Sequence, residues 1–178
     1  MRLHTPLATP RLLLRTLTAA DVGPRYLGWL RDAEVTRFLE VRHGDRSAAA
    51  TLAFVEEANA SPDTLLLGMV LREGGLHVGN IKLGPIDPYH RRADLGLMLG
   101  ERACWGQGLA AEAIAALTGY AFEMLGLNKV TASCYGNNEG SRRAFLKAGF
   151  HEAARRPRHW LCEGDWQDDI LLEILTPV

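Results

Sequence analysis

The sequence predicts a mixed α/β domain built on one mostly antiparallel sheet, with a single parallel β-α-β unit at its centre. The 178 residues are 47% apolar and 23% charged, which is the composition of one globular domain spanning residues 1–178. Apolar runs of strand length alternate with segments of helical period. Only one long helical pattern lies between two strands, and these two strands are expected to be parallel and joined by a right-handed crossover. The other strands follow one another through short connections, so we expect them to pair antiparallel.

The N-terminal third predicts one strand and two helices. The run RLLLRTL at 11–17 is typical of a strand. Thr18–Asp21 resembles a capping box and predicts a helix start. A second helix is expected to begin after Asp45 or Ser47, and the Ser-Pro-Asp sequence at 61–63 ends it.

In the middle of the chain the pattern of apolar residues becomes typical of strands. Residues 65–71 and 76–83 are expected to form a hairpin, because the intervening Arg-Glu-Gly-Gly turn supplies glycines that tolerate positive φ. Residues 92–99 (RADLGLML) predict a further strand. The sheet therefore gains three neighbouring strands in this region.

The clearest helix follows Gly108. Apolar residues recur at intervals of three and four up to about residue 125, and Gly126 is a typical residue just past a helix end. Residues 129–135 then predict a strand that closes the parallel unit. A short helix is expected at 141–148, and two final strands at 150–156 and 166–175.

Composition excludes several function classes. The formal net charge of −1 argues against nucleic acid or an anionic membrane as the main partner. No apolar run approaches membrane-span or signal-peptide length, so we expect a cytoplasmic protein. Three widely spaced cysteines and six scattered histidines predict neither a disulfide framework nor a metal site.

The loop WGQGLA at 105–110 lies between a strand and the long helix, where free backbone N–H groups and the helix dipole favour an anion. A dinucleotide fingerprint requires an acidic residue at the end of the next strand, and 129–135 has none. A Walker A loop requires a Gly-Lys-Ser/Thr sequence, which is absent. A glycine-rich connection without a ligand stays open on this string alone.

Several strings occurring together carry a family resemblance. The chain resembles the GNAT superfamily of acetyl-CoA-dependent N-acetyltransferases, and within it the branch that includes ribosomal-protein N-terminal acetyltransferases. The resemblance runs from about Thr9 to Leu175 and implies an acyl-CoA N-acyltransferase fold, with the sheet splayed at its parallel unit and helices on both faces. The strings are RLLLR at 11–15, WGQGLAAEA at 105–113, YAF at 120–122, LGLN at 125–128, NEGS at 138–141 and KAGF at 147–150.

The resemblance implies acetyl-CoA as co-substrate and no metal. It assigns the pyrophosphate to the loop before the long helix and the pantetheine arm to the preceding strand. Alternative roles remain for three of these residues: a helix N-cap for Ser141, a turn for Asn138 and packing for Trp105. Ala103 departs from the Arg or Gln that is frequent there. The implied cofactor residues are Leu97, Met98, Leu99, Cys104, Trp105, Gly106, Gln107, Gly108, Leu109, Ala110, Asn138 and Ser141.

The expected reaction is transfer of acetyl to a primary amine by direct attack. An amine attacks only when neutral, so a base is needed, and Asp94 is the carboxylate nearest the expected thioester. The alternative for Asp94 is an exposed charge at the strand edge or a salt bridge to Arg91 or Arg92. Tyr135 and Ser141 are candidates for protonating the leaving thiolate. A backbone N–H near Met98 or Leu99 is expected to meet the oxyanion.

The acceptor is open among a protein N-terminus, an amino sugar and a small amine. Basic clusters at 90–92 and 155–159 could face one mouth and favour an anionic acceptor, unless they are solvated hairpin residues. The alternative function is an acyl-CoA sensor or partner-binding module without turnover. Either a monomer or a homodimer is compatible with the sequence.

Overall fold

A computed structural model of the protein describes residues 1–177. Eight strands form one sheet in the order β1-β2-β3-β4-β5-β6-β8-β7, and every neighbouring pair is antiparallel except β5 and β6. The predicted mixed sheet with one parallel unit is confirmed. The strands are β1 Leu7–Ala8, β2 Leu12–Thr16, β3 Leu65–Leu71, β4 His77–Asp87, β5 Arg92–Leu99, β6 Lys129–Tyr135, β7 His151–Cys162 and β8 Asp165–Leu175.

Helices cover both faces of the sheet. One core cluster packs α4 and α5 against the sheet, and a second packs α1 and α3 against the other face. The helices are α1 Pro24–Arg31, α2 Ala33–Thr36, α3 Ala48–Ala60, α4 Leu109–Glu123 and α5 Glu139–Lys147, and short 3-10 helices occupy Ala19–Asp21, Glu40–His43 and Arg102–Cys104. In residues 1–177, no helix has the length and apolarity needed to cross a bilayer.

Several predicted boundaries differ from the structure. The capping box at Thr18 opens only a 3-10 turn, because Gly23 is extended and the following helix starts at Pro24, a residue suited to the first helical position. Helix α5 begins at Glu139 rather than residue 141, because Asn138 caps it. Strands β7 and β8 extend through the expected polar connection to a turn at 163–164. The sequence did not predict this extension, because an exposed edge strand carries no alternating apolar pattern.

The central parallel pair is short. Residues Arg92–Asp94 of β5 pair with Lys129–Thr131 of β6, and the rest of β5 has no strand partner on that side. On its other side, β5 is paired with β4 along almost its whole length. The sheet therefore opens on one side of β5, after Asp94.

The backbone at Gly100, just after β5, packs closely against the indole ring of Trp29. A Cβ atom on Gly100 would overlap the indole ring of Trp29, which is 6% exposed and packs edge-on against His77 with 4.9 Å between ring centroids. Only glycine fits there without moving α1.

We therefore expect Gly100→Ala to destabilise the protein by about 1–3 kcal/mol through overpacking. Thermal unfolding measures this as a fall in Tm of several degrees. Gly119→Ala is the matched control, because a Cβ there, inside α4, meets no atom within 4 Å and alanine favours the helix. Equal Tm values for the two variants would contradict the packing argument.

Candidate active site

Two cavities meet where β5 and β6 separate. The large cavity, about 660 Å³, extends towards α1 and α3, and the small cavity, about 450 Å³, extends towards the N-terminus of α4. They share residues from three segments of the chain. The shared lining residues are Phe38, Leu39, Leu97, Met98, Asn138 and Ser141.

The small cavity brings together most of the residues expected to hold the cofactor. Four others of that set do not line it: Cys104 and Leu109 are buried in the core, Gln107 turns its amide back to the carbonyl of Ala103 (2.7 Å), and Gly108 caps α4. The expected residues that do line it are Leu97, Met98, Leu99, Trp105, Gly106, Ala110, Asn138 and Ser141.

The N-terminus of α4 is suited to an anion. Gly106 and Gly108 have φ of 73° and 79°, which glycine adopts without strain. Gly108 is the N-cap and supplies no side chain to the free N–H groups of the first turn. Those N–H groups and the positive end of the helix dipole therefore remain available to a phosphate.

Two cations lie beside this loop. A Cβ atom on Gly108 would be 3.3 Å from Lys147 Nζ and 3.7 Å from Arg11 Nη2. Arg11 also donates to the carbonyl of Gln107 (2.8 Å) and forms an ion pair with Glu112 (2.7 Å). Sequence reasoning did not assign either cation to the site, although both belong to the strings that carry the resemblance.

Glu112 holds the N-terminal segment against α4. Its carboxylate accepts hydrogen bonds from the Thr9 hydroxyl (2.6 Å), the Arg11 backbone N–H (2.8 Å) and the Arg11 guanidinium. Burial alone would raise the pKa of Glu112, but these hydrogen bonds and the Arg11 charge outweigh it, so the pKa is lowered. The ionised carboxylate thus fixes the position of Arg11 beside the loop.

The backbone of β5 presents N–H groups to the gap. The Gly100 N–H donates to Val78 on the β4 side (2.9 Å), and the Met98 carbonyl is directed at Gly79 of β4. Backbone groups alternate along a strand, so the N–H groups of Leu97 and Leu99 face the side from which β6 has separated. Of the two residues near which an oxyanion donor is expected, Leu99 presents its backbone N–H to the open side of β5, and Met98 does not.

Trp105 links the loop to β5. Its indole N–H donates to the Leu99 carbonyl (2.7 Å), and its ring lies at the small cavity, 40% exposed, with the Arg102 guanidinium 5.8 Å from the ring centroid. The side chain therefore combines the packing role and the cavity-lining role considered from the sequence.

Asn138 and Ser141 lie where the two cavities join. The Asn138 side-chain oxygen accepts the Ser141 backbone N–H (3.1 Å) and caps α5. Ser141 is the third helical residue, so the interpretation of Ser141 as the helix N-cap is wrong. Because its hydroxyl is not used for capping, it is available at the junction of the cavities.

Tyr135 lines the large cavity with its hydroxyl between two charged groups. The hydroxyl donates to the Glu40 carboxylate and accepts from Arg42 Nη2 (2.8 Å), and the ring stacks on Trp160 with centroids 5.2 Å apart. Burial, and then the hydrogen bond to Glu40, raise the pKa of Tyr135, so the phenol stays protonated. The sequence analysis did not identify Glu40, because this residue lies in a 3-10 helix 95 residues before Tyr135.

Asp94 lies at the paired end of β5. It shares a face of the strand with Gly96, which lines the large cavity, but Asp94 is exposed, does not line the cavity and accepts a hydrogen bond from the Thr131 hydroxyl. The structure therefore places Asp94 beside the cavity and Glu40 in its wall.

The basic clusters do not form a common mouth. Arg91 donates to the Gly126 carbonyl (2.6 Å), Arg92 pairs with Asp87 (3.6 Å), Arg155 pairs with Asp168 (3.2 Å), and Arg156 donates to buried Asp169 (2.8 Å). None of the four arginines lines either cavity, so the structure does not bring the two clusters together at a common mouth, and the charge of the acceptor stays a prediction. The charged residues that do line the large cavity are Glu40, Asp45 and Lys82.

No cluster of three or more His, Cys, Asp or Glu able to hold a metal ion occurs within residues 1–177.

A family model and a curated relative match the sequence of this chain. A family model described as an acetyltransferase (GNAT) domain matches residues 11–151. The uncharacterized N-acetyltransferase YoaA of Bacillus subtilis (strain 168) is 28% identical over 173 residues, which are 96% of this chain and 97% of YoaA.

Solved structures share the fold at low sequence identity. A GNAT-family acetyltransferase from Bacillus anthracis aligns with a TM-score of 0.82 and 20% identity over 96% of this chain and 98% of that one. The spermidine N-acetyltransferase of Vibrio cholerae, in complex with CoA and spermine, aligns with a TM-score of 0.81 and 18% identity over 94% and 96%. The fold class expected from the resemblance is confirmed.

We expect Gly108→Leu to weaken acetyl-CoA binding at least about tenfold, because a side chain would occupy the space between the loop and Lys147. Isothermal titration calorimetry measures the change. Gly126→Leu is the control: it carries the same positive-φ strain at the other end of α4, with no atom near the new Cβ. Unchanged affinity for acetyl-CoA in a folded Gly108→Leu protein would contradict the assignment of acetyl-CoA to this loop.

Proposed function

Because the chain belongs to the acetyltransferase (GNAT) domain family and is an acyltransferase, we propose that it transfers acetyl from acetyl-CoA to a primary amine by direct attack in a ternary complex. The observation that carries this proposal is the junction of the two cavities at the open side of β5. A phosphate-binding helix end lies in the small cavity, and a carboxylate lies in the wall of the large one.

Acetyl-CoA fits the small cavity in a defined direction. Its pyrophosphate would meet the N–H groups at the start of α4, with Lys147 and Arg11 adding positive charge. Its pantetheine amides would pair with the free backbone groups of β5 in place of the missing β6. The thioester then lies near Asn138 and Ser141, where the large cavity begins.

In this reaction the amine nitrogen attacks the thioester carbonyl, the C–S bond breaks, and an amide and free CoA thiol result. Glu40 takes the proton that the amine loses. The N–H of Leu99 or Leu97 stabilises the tetrahedral oxyanion. Ser141 is the proposed proton donor to the leaving thiolate, because it lines both cavities, whereas Tyr135 lines only the large one and donates to Glu40.

The acceptor panel is chosen from the family branch that the sequence resembles. It contains N-terminal peptides of ribosomal proteins, amino sugars and small amines, each tested by mass-detected acetyl transfer. Tight binding of acetyl-CoA with no acceptor acetylated would instead support the acyl-CoA sensor.

We expect Glu40→Gln to lower kcat/KM by about 10²-fold at pH 7 and by less at high pH, where more of the amine is already neutral. Full pH–rate profiles measure this. Asp94→Asn is the matched carboxylate control and should leave the shape of the profile unchanged. The reverse pattern would assign the base to Asp94, and two profiles parallel to the parent would exclude both side chains.

We expect Ser141→Ala to lower kcat about tenfold with little change in KM for acetyl-CoA, because protonation of the thiolate is needed only after attack. Tyr135→Phe keeps the stacking on Trp160 and removes only the hydroxyl, which makes it the comparison variant. Steady-state kinetics separate the two. A larger loss of kcat in Tyr135→Phe would transfer the acid role to Tyr135.

A further inference from the structure

Asn80 presents an unsatisfied donor to the large cavity. The residue lies on β4, is 5% exposed, and its Nδ2 has no partner among residues 1–177. The orientation of the amide is determined by His77. Its Nε2 lies 3.0 Å from the Gly79 carbonyl, which can only accept, so Nε2 carries the hydrogen.

The same His77 Nε2 lies 2.8 Å from the other atom of the Asn80 amide, which must therefore be the oxygen. Burial lowers the pKa of His77 and outweighs the opposing hydrogen bond to Asn80, so the ring stays neutral and keeps this single donor role. The Tyr26 hydroxyl, which lines the same cavity, lies near Nδ2, but the two groups do not meet the geometry of a hydrogen bond, so Nδ2 makes no hydrogen bond within the described chain. A buried donor without a partner is costly, so an oxygen of a bound ligand is the expected acceptor.

Lys82 adds a positive charge to the same wall. It lies two residues further along β4, so its side chain is on the same face of the sheet, and it also lines the large cavity. No ion pair within 4.0 Å is found for its ammonium in the described chain. An ammonium and an amide N–H on the same wall can together bind the two oxygens of a carboxylate.

The carboxylates of the cavity come from a different segment. Glu40 and Asp45 lie between α2 and α3, whereas Asn80 and Lys82 lie on the sheet. Donors and acceptors are therefore separated on two elements of one cavity. A molecule that carries an amine and a carboxylate satisfies both.

We propose that the acceptor is a free α-amino acid, with its amine towards Glu40 and its carboxylate on Asn80 Nδ2 and Lys82 Nζ. The inference rests on the proposed acetyl transfer and names its substrate class. Apolar residues in the same wall, Leu30, Phe54 and Leu66, suit an apolar side chain. The reaction converts the amino acid and acetyl-CoA into the N-acetylamino acid and CoA.

Other classes of amine leave the Asn80 donor or the Lys82 ammonium without a partner. A polyamine brings no acceptor for Asn80 and places positive charge near Lys82. A peptide N-terminus offers a carbonyl to Asn80 but no anion to Lys82. Only the free amino acid supplies both the acceptor and the charge.

The test compares kcat/KM for four acceptors that differ in the group carried by the carbon next to the amine: leucine, leucinamide, 3-methylbutylamine and a leucyl dipeptide, with spermidine as a polyamine control. We expect leucine to exceed each of the others at least about tenfold, the size of effect expected for a hydrogen bond to a charged group. Basicity does not explain such a preference, because the less basic amine of leucinamide is neutral in larger proportion at pH 8.

Substitutions of Lys82 and Asn80 test whether these residues cause the preference for leucine over leucinamide. Lys82→Met should lower kcat/KM for leucine about tenfold and leave leucinamide unchanged, so the ratio collapses. Asn80→Leu should lower both, and KM for acetyl-CoA should stay constant in each variant. Lys129→Met, which removes a lysine paired with Glu173 outside both cavities, should keep the parent ratio.

The outcomes separate the two proposals. Preference for leucinamide, the dipeptide or spermidine over leucine overturns the carboxylate site and leaves acetyl transfer intact. A parent-like ratio in Lys82→Met also overturns it. Acetyl-CoA binding without acetylation of any amine overturns the proposed function itself.

Discussion

The site depends on the early end of pairing between β5 and β6. After Asp94 the backbone N–H groups of β5 have no strand partner on that side, although buried backbone N–H groups in proteins are almost always satisfied. The separation is held open because β5 is fixed to β4, and because α4 packs its buried residues, among them Ile114 and Leu117, into the core beneath the sheet. A ligand that lies along β5 as an extra strand satisfies these groups.

The loop before α4 is positioned by contacts distant in sequence. Trp105 links it to the Leu99 carbonyl, and Glu112 links the first turn of α4 to Arg11, 101 residues earlier. These contacts hold the free N–H groups at the start of α4 and the unpaired part of β5 in one frame. Binding a long cofactor to preformed donors avoids the entropic cost of ordering a loop.

Sequence patterns predicted the parts of this frame that local rules determine. Helix α4 and its glycines at positive φ were readable because apolar period and backbone permissiveness are local properties. Glu40 and Lys82 were not found, since a 3-10 turn and a single lysine in a strand carry no periodic signal. The cavity wall exists only once α2, α3 and β4 pack together. Edge strand β7 was underestimated because both of its faces are exposed.

The distribution of polar groups in the large cavity separates two tasks. Asn80 and Lys82 stand on a central strand with neighbours on both sides, so their spacing is fixed by the sheet. Glu40 stands on a short 3-10 turn and is held by the Tyr135 hydroxyl, which Arg42 also contacts. Selection of a substrate requires fixed donors, whereas removal of a proton requires a carboxylate that can approach the amine. The rigid sheet and the less regular connecting segment provide these two properties from different parts of the fold.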